Sequence, residues 1–307
     1  MIGMSHYAWS QWNAARTRPP HLKTIVAYDG ATDMYRDWMY HGGIPTQGFF
    51  SAWLFGSVLM QHHLNGIDFR AGRNDQFVFD ALSHPFDDEW QRRRSPFWEL
   101  DQVDIPVFSI GVWGKASLHL RGNFYGYERV TGPKQLLVAH PDGFAAAQRY
   151  FFDEDFHRTE LLPWYDQHLK GLDTGVMDRP AVRYFVGLSL VPGPQSDAAR
   201  PIRVTQGWLR ASHRAELPEL TSPLRPFHAH TRADPVEPGT VYRLRVELLP
   251  MSFLARRGDR IRLQISNHDS LIADAPMTHF YGQKTGTDTY HHDPAHSSGL
   301  RLQERPR

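Results

Sequence analysis

The chain has 307 residues, of which 41% are hydrophobic and 22% are charged, a length and composition typical of a globular protein with room for two domains. A formal net charge of +1 gives no electrostatic reason to expect nucleic acid or an anionic membrane as a partner. The absence of cysteine excludes disulfides, a thiol nucleophile and a cysteine metal site. No apolar run approaches the ~20 residues that span a bilayer. No signal peptide is visible. The compartment is unknown, and the cytoplasm is the default expectation.

The first predicted elements are a strand and a helix joined by a sharp turn at residues 3–8, which read Gly-x-Ser-x-x-Ala. A glycine two residues before a serine, with a small residue after it, is typical of the turn that lifts a nucleophilic serine out of a parallel sheet. The helix is predicted to continue from Ser10 to Arg16 and to end before Pro19. The motif also arises by chance in many chains, so Ser5 is a candidate nucleophile that the rest of the fold has to support.

The rest of the first half alternates between strand and helix patterns, which is the order of a parallel α/β sheet. Buried strands are predicted at residues 22–28, 105–111 and 135–139, and helices at residues 118–130 and 159–170. Residues 31–100 are instead rich in Trp, Phe, Tyr, His and Met, without period-two alternation. This segment is predicted to be a mostly helical cap over the carboxyl edge of the sheet.

The last third of the chain has the pattern of antiparallel strands. Apolar and polar residues alternate over residues 242–248 and 260–265, with Gly258-Asp259 at the turn between them. This alternation predicts an all-β sandwich whose strands are half buried. The predicted domains are therefore an α/β domain over residues 1–172 and a β domain over residues 173–307.

A serine nucleophile needs a histidine base and a carboxylate that orients the histidine. His140 directly follows the strand predicted at residues 135–139, and Asp142 is the next carboxylate. An orienting Asp would be expected in the loop after the strand at 105–111, but residues 112–116 contain no carboxylate and include Lys115. The sequence thus predicts Ser5 as the nucleophile and His140 as the base, with Asp142 as the candidate acid.

Other clusters are weaker candidates for chemistry. His292 and His296 are one helical turn apart, but Pro294 argues against a helix and no Glu completes a His-Glu-x-x-His motif. The chain contains no glycine-rich phosphate loop and no dinucleotide-binding fingerprint. The sequence therefore predicts neither a metal nor an organic cofactor.

Taken in order, these segments resemble the cocaine esterase and X-prolyl dipeptidyl peptidase group of serine hydrolases. The resemblance is carried by residues 3–8, 22–35, 105–113, 118–122 and 164–171 in the α/β part, and by residues 249–252 and 257–263 in the β part. It covers essentially the whole chain, and the ordered series is more specific than any single motif in it.

The resemblance implies an α/β-hydrolase core with a helical cap, followed by a jelly-roll domain. Ser5 falls on the family nucleophile, and the backbone N–H of His6 falls on one half of the oxyanion hole. The family histidine follows the strand at 135–139, where His140 aligns, or Gly143 with a different gap. Lys115 occupies the place of the family acid.

The function implied by the resemblance is cleavage of an acyl ester or acyl-peptide bond through a serine acyl-enzyme, with a small-molecule ester or peptide as the substrate. The alternative is a catalytically inactive relative that acts as a binding module. The strands that precede the serine in the family are missing here, so we expect the chain to be poorly soluble alone or to need a partner chain. A mis-assigned start is the other explanation, and a homo-oligomer is left open.

Overall fold

A computed structural model describes residues 1–59, 74–139, 150–188, 203–255, 257–269, 278–279 and 286–303. The strands are β1 (Ile2–Met4), β2 (Ile25–Tyr28), β3 (Tyr40–His41), β4 (Ile44–Pro45), β5 (Val107–Val112), β6 (Lys134–Ala139), β7 (Val182–Tyr184), β8 (Gly187–Leu188) and β9 (Phe253–Leu254). The α-helices are α1 (His6–Arg16), α2 (Gln47–Trp53), α3 (Asn74–Ser83), α4 (Glu89–Arg94), α5 (Arg121–Arg129), α6 (Glu154–Phe156) and α7 (Leu162–Lys170). Short stretches of 3-10 or π geometry lie at Tyr35–Met39, Leu54–Leu59, Pro96–Gln102, Trp113–Lys115, Ala116–Leu120, His157–Leu161, Val176–Asp178 and Ala211–His213. None of the helices in these residues combines the length and the apolar character that a bilayer crossing requires.

Five of these strands form one parallel sheet in the order β1-β2-β5-β6-β7. Gly3 of β1 pairs with Ala27 of β2, and Ala27 pairs in turn with Ser109 of β5. The carboxyl ends of these three strands therefore lie side by side at one edge of the sheet. The predicted parallel α/β sheet is confirmed, and the turn that contains Ser5 opens onto that edge.

The central strands β2 and β5 are buried along their whole length. Continuous burial is expected of a parallel sheet that is covered on both faces. Successive side chains of a strand point to opposite faces, so Val26 and Phe108 pack with Trp164 of α7 on one side. Ile25 packs with Trp12 of α1 on the other side. Burial of each such large apolar side chain stabilises the fold by about 1.5–3 kcal/mol.

The helices that flank the sheet follow the predicted pattern with two local differences. The helix predicted at residues 118–130 begins as a π turn over Ala116–Leu120 and continues as α5. The helix predicted at residues 159–170 likewise begins with a π turn and continues as α7, which ends where Gly171 has a φ of 70°. Glycine adopts that left-handed conformation without strain, so it is a favourable residue at this helix end.

The alternating segments of the last third are not strands in the structure. Residues 242–248 and 260–265 lie outside helices and strands. Ile261, Leu263 and Ile265 are all more than half exposed. Alternation specifies a strand only where a partner strand and a covering layer take up one face, and the described residues supply neither here. The jelly roll is not confirmed and stays a prediction.

The chain divides into two compact units that are discontinuous in sequence. The first comprises Met1–Met39, Phe86–Gln206 and Leu249–Ala255, and it contains the parallel sheet. The second comprises Tyr40–Pro85, Gly207–Leu248 and Arg256–Arg307. The described residues between β2 and β5 are mostly helical, with the short β3–β4 hairpin among them. The division at residues 172 and 173, which rests on the change of sequence pattern, stays a prediction.

The second unit buries a histidine cluster. Nδ1 of His213 lies 3.2 Å from Nδ1 of His230, and the ring centroids of His228 and His230 are 5.8 Å apart. Burial, and after it the charge of Arg210, lowers the pKa of His213 to about 4, from an ordinary value of 6.5. His213 is therefore neutral at neutral pH.

We expect acid to destabilise this chain through His213. The unfolded chain takes up a proton on this histidine near pH 6.5 and the folded chain only near pH 4, so the contribution to stability is complete above pH 6.5 and is lost as the pH falls towards about 4. Urea denaturation at about pH 7 and about pH 5 measures the loss. His213→Gln should lose less stability between the two pH values than the wild type. The exposed His21→Gln is the control and should behave as the wild type, and an equally steep loss in His213→Gln would contradict the assignment.

Candidate active site

Ser5 lies in a strained turn between β1 and α1. Its φ of 61° and ψ of −117° belong to a region that residues other than glycine rarely adopt. Such a conformation costs about 1–3 kcal/mol and persists only where the surroundings enforce it. The Ser5 N–H donates to the carbonyls of Tyr28 and Asp29, at 3.1 and 3.0 Å, which ties the turn to the end of β2. The turn is therefore held by the neighbouring strand.

Two glycines let α1 approach the sheet closely enough to form this turn. A Cβ on Gly3 would lie 2.5 Å from Cβ of Tyr7, and a Cβ on Gly30 would lie 2.4 Å from Cβ of Ala8. Neither contact is sterically acceptable. The small residues of the Gly-x-Ser-x-x-Ala motif thus have a packing role as well as a conformational one.

His119 is the histidine that contacts Ser5. Its Nε2 lies 3.2 Å from the Ser5 hydroxyl oxygen, within hydrogen-bond reach. His119 belongs to the π turn that follows β5, and its neighbours Leu118 and Leu120 are buried, which anchors the turn at the carboxyl edge. This pairing brings a serine hydroxyl and a possible base together from distant parts of the chain.

A buried carboxylate faces the other nitrogen of His119. Asp29 directly follows β2 and has no solvent exposure. Its Oδ1 lies 3.3 Å from Nδ1 of His119, and its Oδ2 lies 2.5 Å from Nζ of Lys115. Both contacts are at ion-pair distance, and neither has the alignment of a hydrogen bond. Serine, histidine and aspartate are thus arranged in a line, and a lysine sits on the far side of the aspartate.

The electrostatics keep Asp29 ionised. Burial acts to raise the pKa of its carboxyl group, but the interactions with His119 and then with Lys115 outweigh burial, and the pKa lies below the ordinary value. A carboxylate that remains an anion can hold the imidazole in the orientation that catalysis needs and stabilise an imidazolium.

Asn123 of α5 joins the ends of β2 and β5 behind the site. Its Oδ1 accepts from the Gly30 N–H at 3.1 Å, and its Nδ2 donates to the carbonyl of Ala27 and to the hydroxyl of Ser109, both at 3.1 Å. The side chain is fully buried, and every bond made here satisfies a group that water cannot reach. The loop that carries Asp29 is therefore tied to both strands.

A buried ion-pair network continues this support along the loop after β2. Arg121 of α5 contacts Oδ1 of Asp37 at 3.0 Å. Oδ2 of Asp37 accepts from the N–H groups of Thr32 and Asp33, each at 2.9 Å. The loop is therefore pinned to the same helix that carries Asn123.

Aromatic rings lie beside the serine in the same unit. The rings of His6 and Trp9 are 5.6 Å apart, and Trp9 lies 5.6 Å from Trp38 in an edge-to-face contact. His6 is also the first residue of α1, where N–H groups have no acceptor within the helix itself. The first turn of α1, which follows Ser5, is therefore packed by aromatic rings.

The predicted site residues have different outcomes. Ser5 and His6 lie where the sequence put them, at the turn and at the start of α1. His140 and Asp142 lie outside the described residues, so their roles stay predictions. Residues 113–116, which directly follow β5, contain no carboxylate. Lys115 in this segment contacts Asp29.

Sequence reasoning missed Asp29 and His119 as site residues. Asp29 directly follows β2, the strand next to the one that leads into Ser5. A carboxylate at the end of a predicted neighbouring strand could therefore have been recognised as a candidate acid from the sequence. His119 carries no comparable signal, because only the π turn after β5 brings it back over the sheet.

One group of residues has the geometry of a metal site. Possible ligand atoms of His291, Asp293 and His296 lie within 4.8 Å of one another, and all three residues are exposed. The Asp293 carboxylate already accepts from the N–H groups of Ala295 and His296, at 2.8 and 2.9 Å. These contacts account for its position within the turn.

Two family models match the chain in succession. Residues 1–142 match the X-Pro dipeptidyl-peptidase (S15 family) model, and residues 176–301 match the X-Pro dipeptidyl-peptidase C-terminal non-catalytic domain. No curated protein sequence matches the chain.

Solved structures agree with the fold. Two crystal structures of a CocE/NonD family hydrolase from Staphylococcus aureus superpose with TM-scores of 0.65 and 0.66, each at 22% identity over 82% of this chain. The chain spans 60% and 61% of the lengths of those two chains. At this identity the likeness speaks for an α/β-hydrolase-like fold. Since the two family models together match most of its residues, the chain belongs to the X-Pro dipeptidyl-peptidase (S15) family of hydrolases.

Proposed function

We propose that this chain is a serine hydrolase that cleaves an acyl ester or acyl-peptide bond in a small-molecule ester or peptide, with Ser5 as the nucleophile and His119 as the general base. The observation that carries the proposal is the 3.2 Å contact between the Ser5 hydroxyl and Nε2 of His119 at a strained turn. A serine hydroxyl is a weak nucleophile until a base removes its proton, and this contact supplies one.

Acylation of Ser5 proceeds through a tetrahedral intermediate. As the Ser5 oxygen attacks the carbonyl carbon, Nε2 of His119 takes the hydroxyl proton, and the N–H of His6 receives the oxyanion of the tetrahedral intermediate. Collapse of the intermediate breaks the bond to the leaving alcohol or amine, which takes the proton from the imidazolium. Asp29, which faces Nδ1, offsets the transient positive charge on the ring.

Deacylation repeats the same proton transfers with water as the nucleophile. His119 takes a proton from the water that attacks the acyl group on Ser5, and returns it to the Ser5 oxygen as the acid product leaves. The rings of His6 and Trp9, in the first turn of the helix that follows Ser5, support an apolar acyl group as the substrate part next to the serine.

Two finer assignments belong to this proposal. The pair His140 and Asp142 is the competing base and acid, because in the sequence His140 directly follows β6 and Asp142 is the next carboxylate. The jelly-roll domain is proposed for the last third, supported by the match of residues 176–301 to the C-terminal domain of the family.

One observation favours an inactive relative that works as a binding module. Lys115 contacts one oxygen of Asp29 at 2.5 Å, and the contact of the other oxygen with His119 is unaligned. A lysine that drew the carboxylate away from the imidazole would leave His119 without an orienting acid. This second candidate and the hydrolase make opposite predictions for the reactivity of Ser5.

A fluorophosphonate probe tests the nucleophile, because it reacts rapidly only with a serine that a base activates. We expect mass spectrometry of the labelled protein to find the phosphonyl group on Ser5, and Ser5→Ala to abolish it. The exposed Ser10, in the first turns of the same helix, provides the control, and Ser10→Ala should label as the wild type. Folded wild-type protein without label would favour the binding module.

The identity of the base can be tested with matched histidine variants. We expect His119→Gln to slow labelling of Ser5 by at least ~10³-fold, since loss of the base from a working site costs several orders of magnitude in rate. His140→Gln should label at nearly the wild-type rate. The reverse result, with His140→Gln slow and His119→Gln unaffected, would assign the base to His140.

A further inference from the structure

A buried lysine, Lys115, contacts the candidate acid Asp29. We propose that Lys115 is a positioning residue, whose ammonium group holds the Asp29 carboxylate in the orientation that presents its other oxygen to His119. This inference rests on the proposed function of Ser5 and His119.

The register of the sheet explains why the two residues meet. Tyr28 of β2 pairs with Ile110 of β5, and the Asp29 N–H donates to the carbonyl of Ile110 at 2.5 Å. The chain after β5 turns at once through Trp113–Lys115, so Lys115 comes back over the end of β2. A lysine at this position therefore lies directly beside Asp29.

Burial makes this contact a requirement. Lys115 is 3% exposed and Asp29 is 0% exposed. Two unpaired charges at such depth would be strongly unfavourable, whereas each compensates the other at 2.5 Å. The pair is thus part of the folded site and not a surface contact.

The two carboxylate oxygens of Asp29 have separate partners. Lys115 contacts Oδ2, and Oδ1 faces Nδ1 of His119 at 3.3 Å. With one oxygen anchored, the carboxylate plane cannot rotate without losing the ion pair. Nδ1 of His119 then stays towards Asp29, and Nε2 stays towards Ser5.

The ion pair also balances charge around the base. Asp29 and Lys115 together carry no net charge, so the imidazole lies beside a neutral pair and not beside an isolated carboxylate. Two buried arginines on the elements packed against this turn are paired, Arg121 with Asp37, and Arg36 with Asp33 and Asp87. Removal of Lys115 alone would therefore leave the negative charge of Asp29 to attract a proton to His119.

The test measures the rate of Ser5 phosphonylation against pH in Lys115 variants. We expect Lys115→Met to slow labelling by at least roughly tenfold at neutral pH, because the orienting carboxylate loses its anchor. We also expect the acid-side pH of half-maximal rate to rise. Lys115→Arg, which keeps the charge, should restore most of the rate and the wild-type pH profile. Lys170→Met removes an exposed lysine paired with Asp166 and should change neither.

The variants separate a positioning role from a structural one. If Lys115→Met does not fold, Lys115→Gln carries the test, because it keeps a polar group next to Oδ2 while the charge is gone. The half-maximal pH should again rise. A wild-type rate and pH profile in either folded variant would overturn the inference while leaving Ser5 labelled. Absence of label on the wild type would overturn the proposed function and this inference together.

Discussion

Asp29 carries a negative charge into a position without solvent exposure, and the groups around it are arranged to compensate that charge. Lys115 and His119 come from the segment after β5, and the backbone of Asp29 is bonded to β5 as well. Burial of an uncompensated carboxylate would cost several kcal/mol, on the order of the whole stability of a domain. The end of β2, the turn after β5 and the serine turn are therefore interdependent.

The strain at Ser5 has its compensation in the same place. A positive φ at a residue other than glycine is held here by two bonds from the Ser5 N–H to the end of β2 and by the close approach of Ala8 to Gly30. These contacts exist only because β1 and β2 are neighbours in the parallel sheet. The nucleophile candidate and the acid candidate thus share one structural support, and a change at the end of β2 affects both.

The family relation and the local geometry give different kinds of information. The family models indicate the class of protein, and the first of them covers residues 1–142, which include Ser5, Asp29 and His119. The geometry states which side chains lie near Ser5, and it brings in Asp29 from β2, whereas the resemblance leads one to expect the acid after β5. An acid supplied from the neighbouring strand reaches the same edge of the sheet, because parallel strands end together there.

The sequence by itself determined the parallel sheet, the serine turn and the helices around them, because these depend on local patterns: buried apolar runs, a Gly-x-Ser-x-x-Ala turn and a glycine at the end of α7. It also indicated that no acid follows β5. The partners of Ser5 were decided by tertiary structure, since Asp29 and His119 meet only through the order β1-β2-β5 and a π turn. Alternation in the last third did not suffice to define strands, because a strand needs a partner that residues 242–248 and 260–265 do not have among the described residues. Local patterns specify elements, whereas contacts between distant segments specify the site.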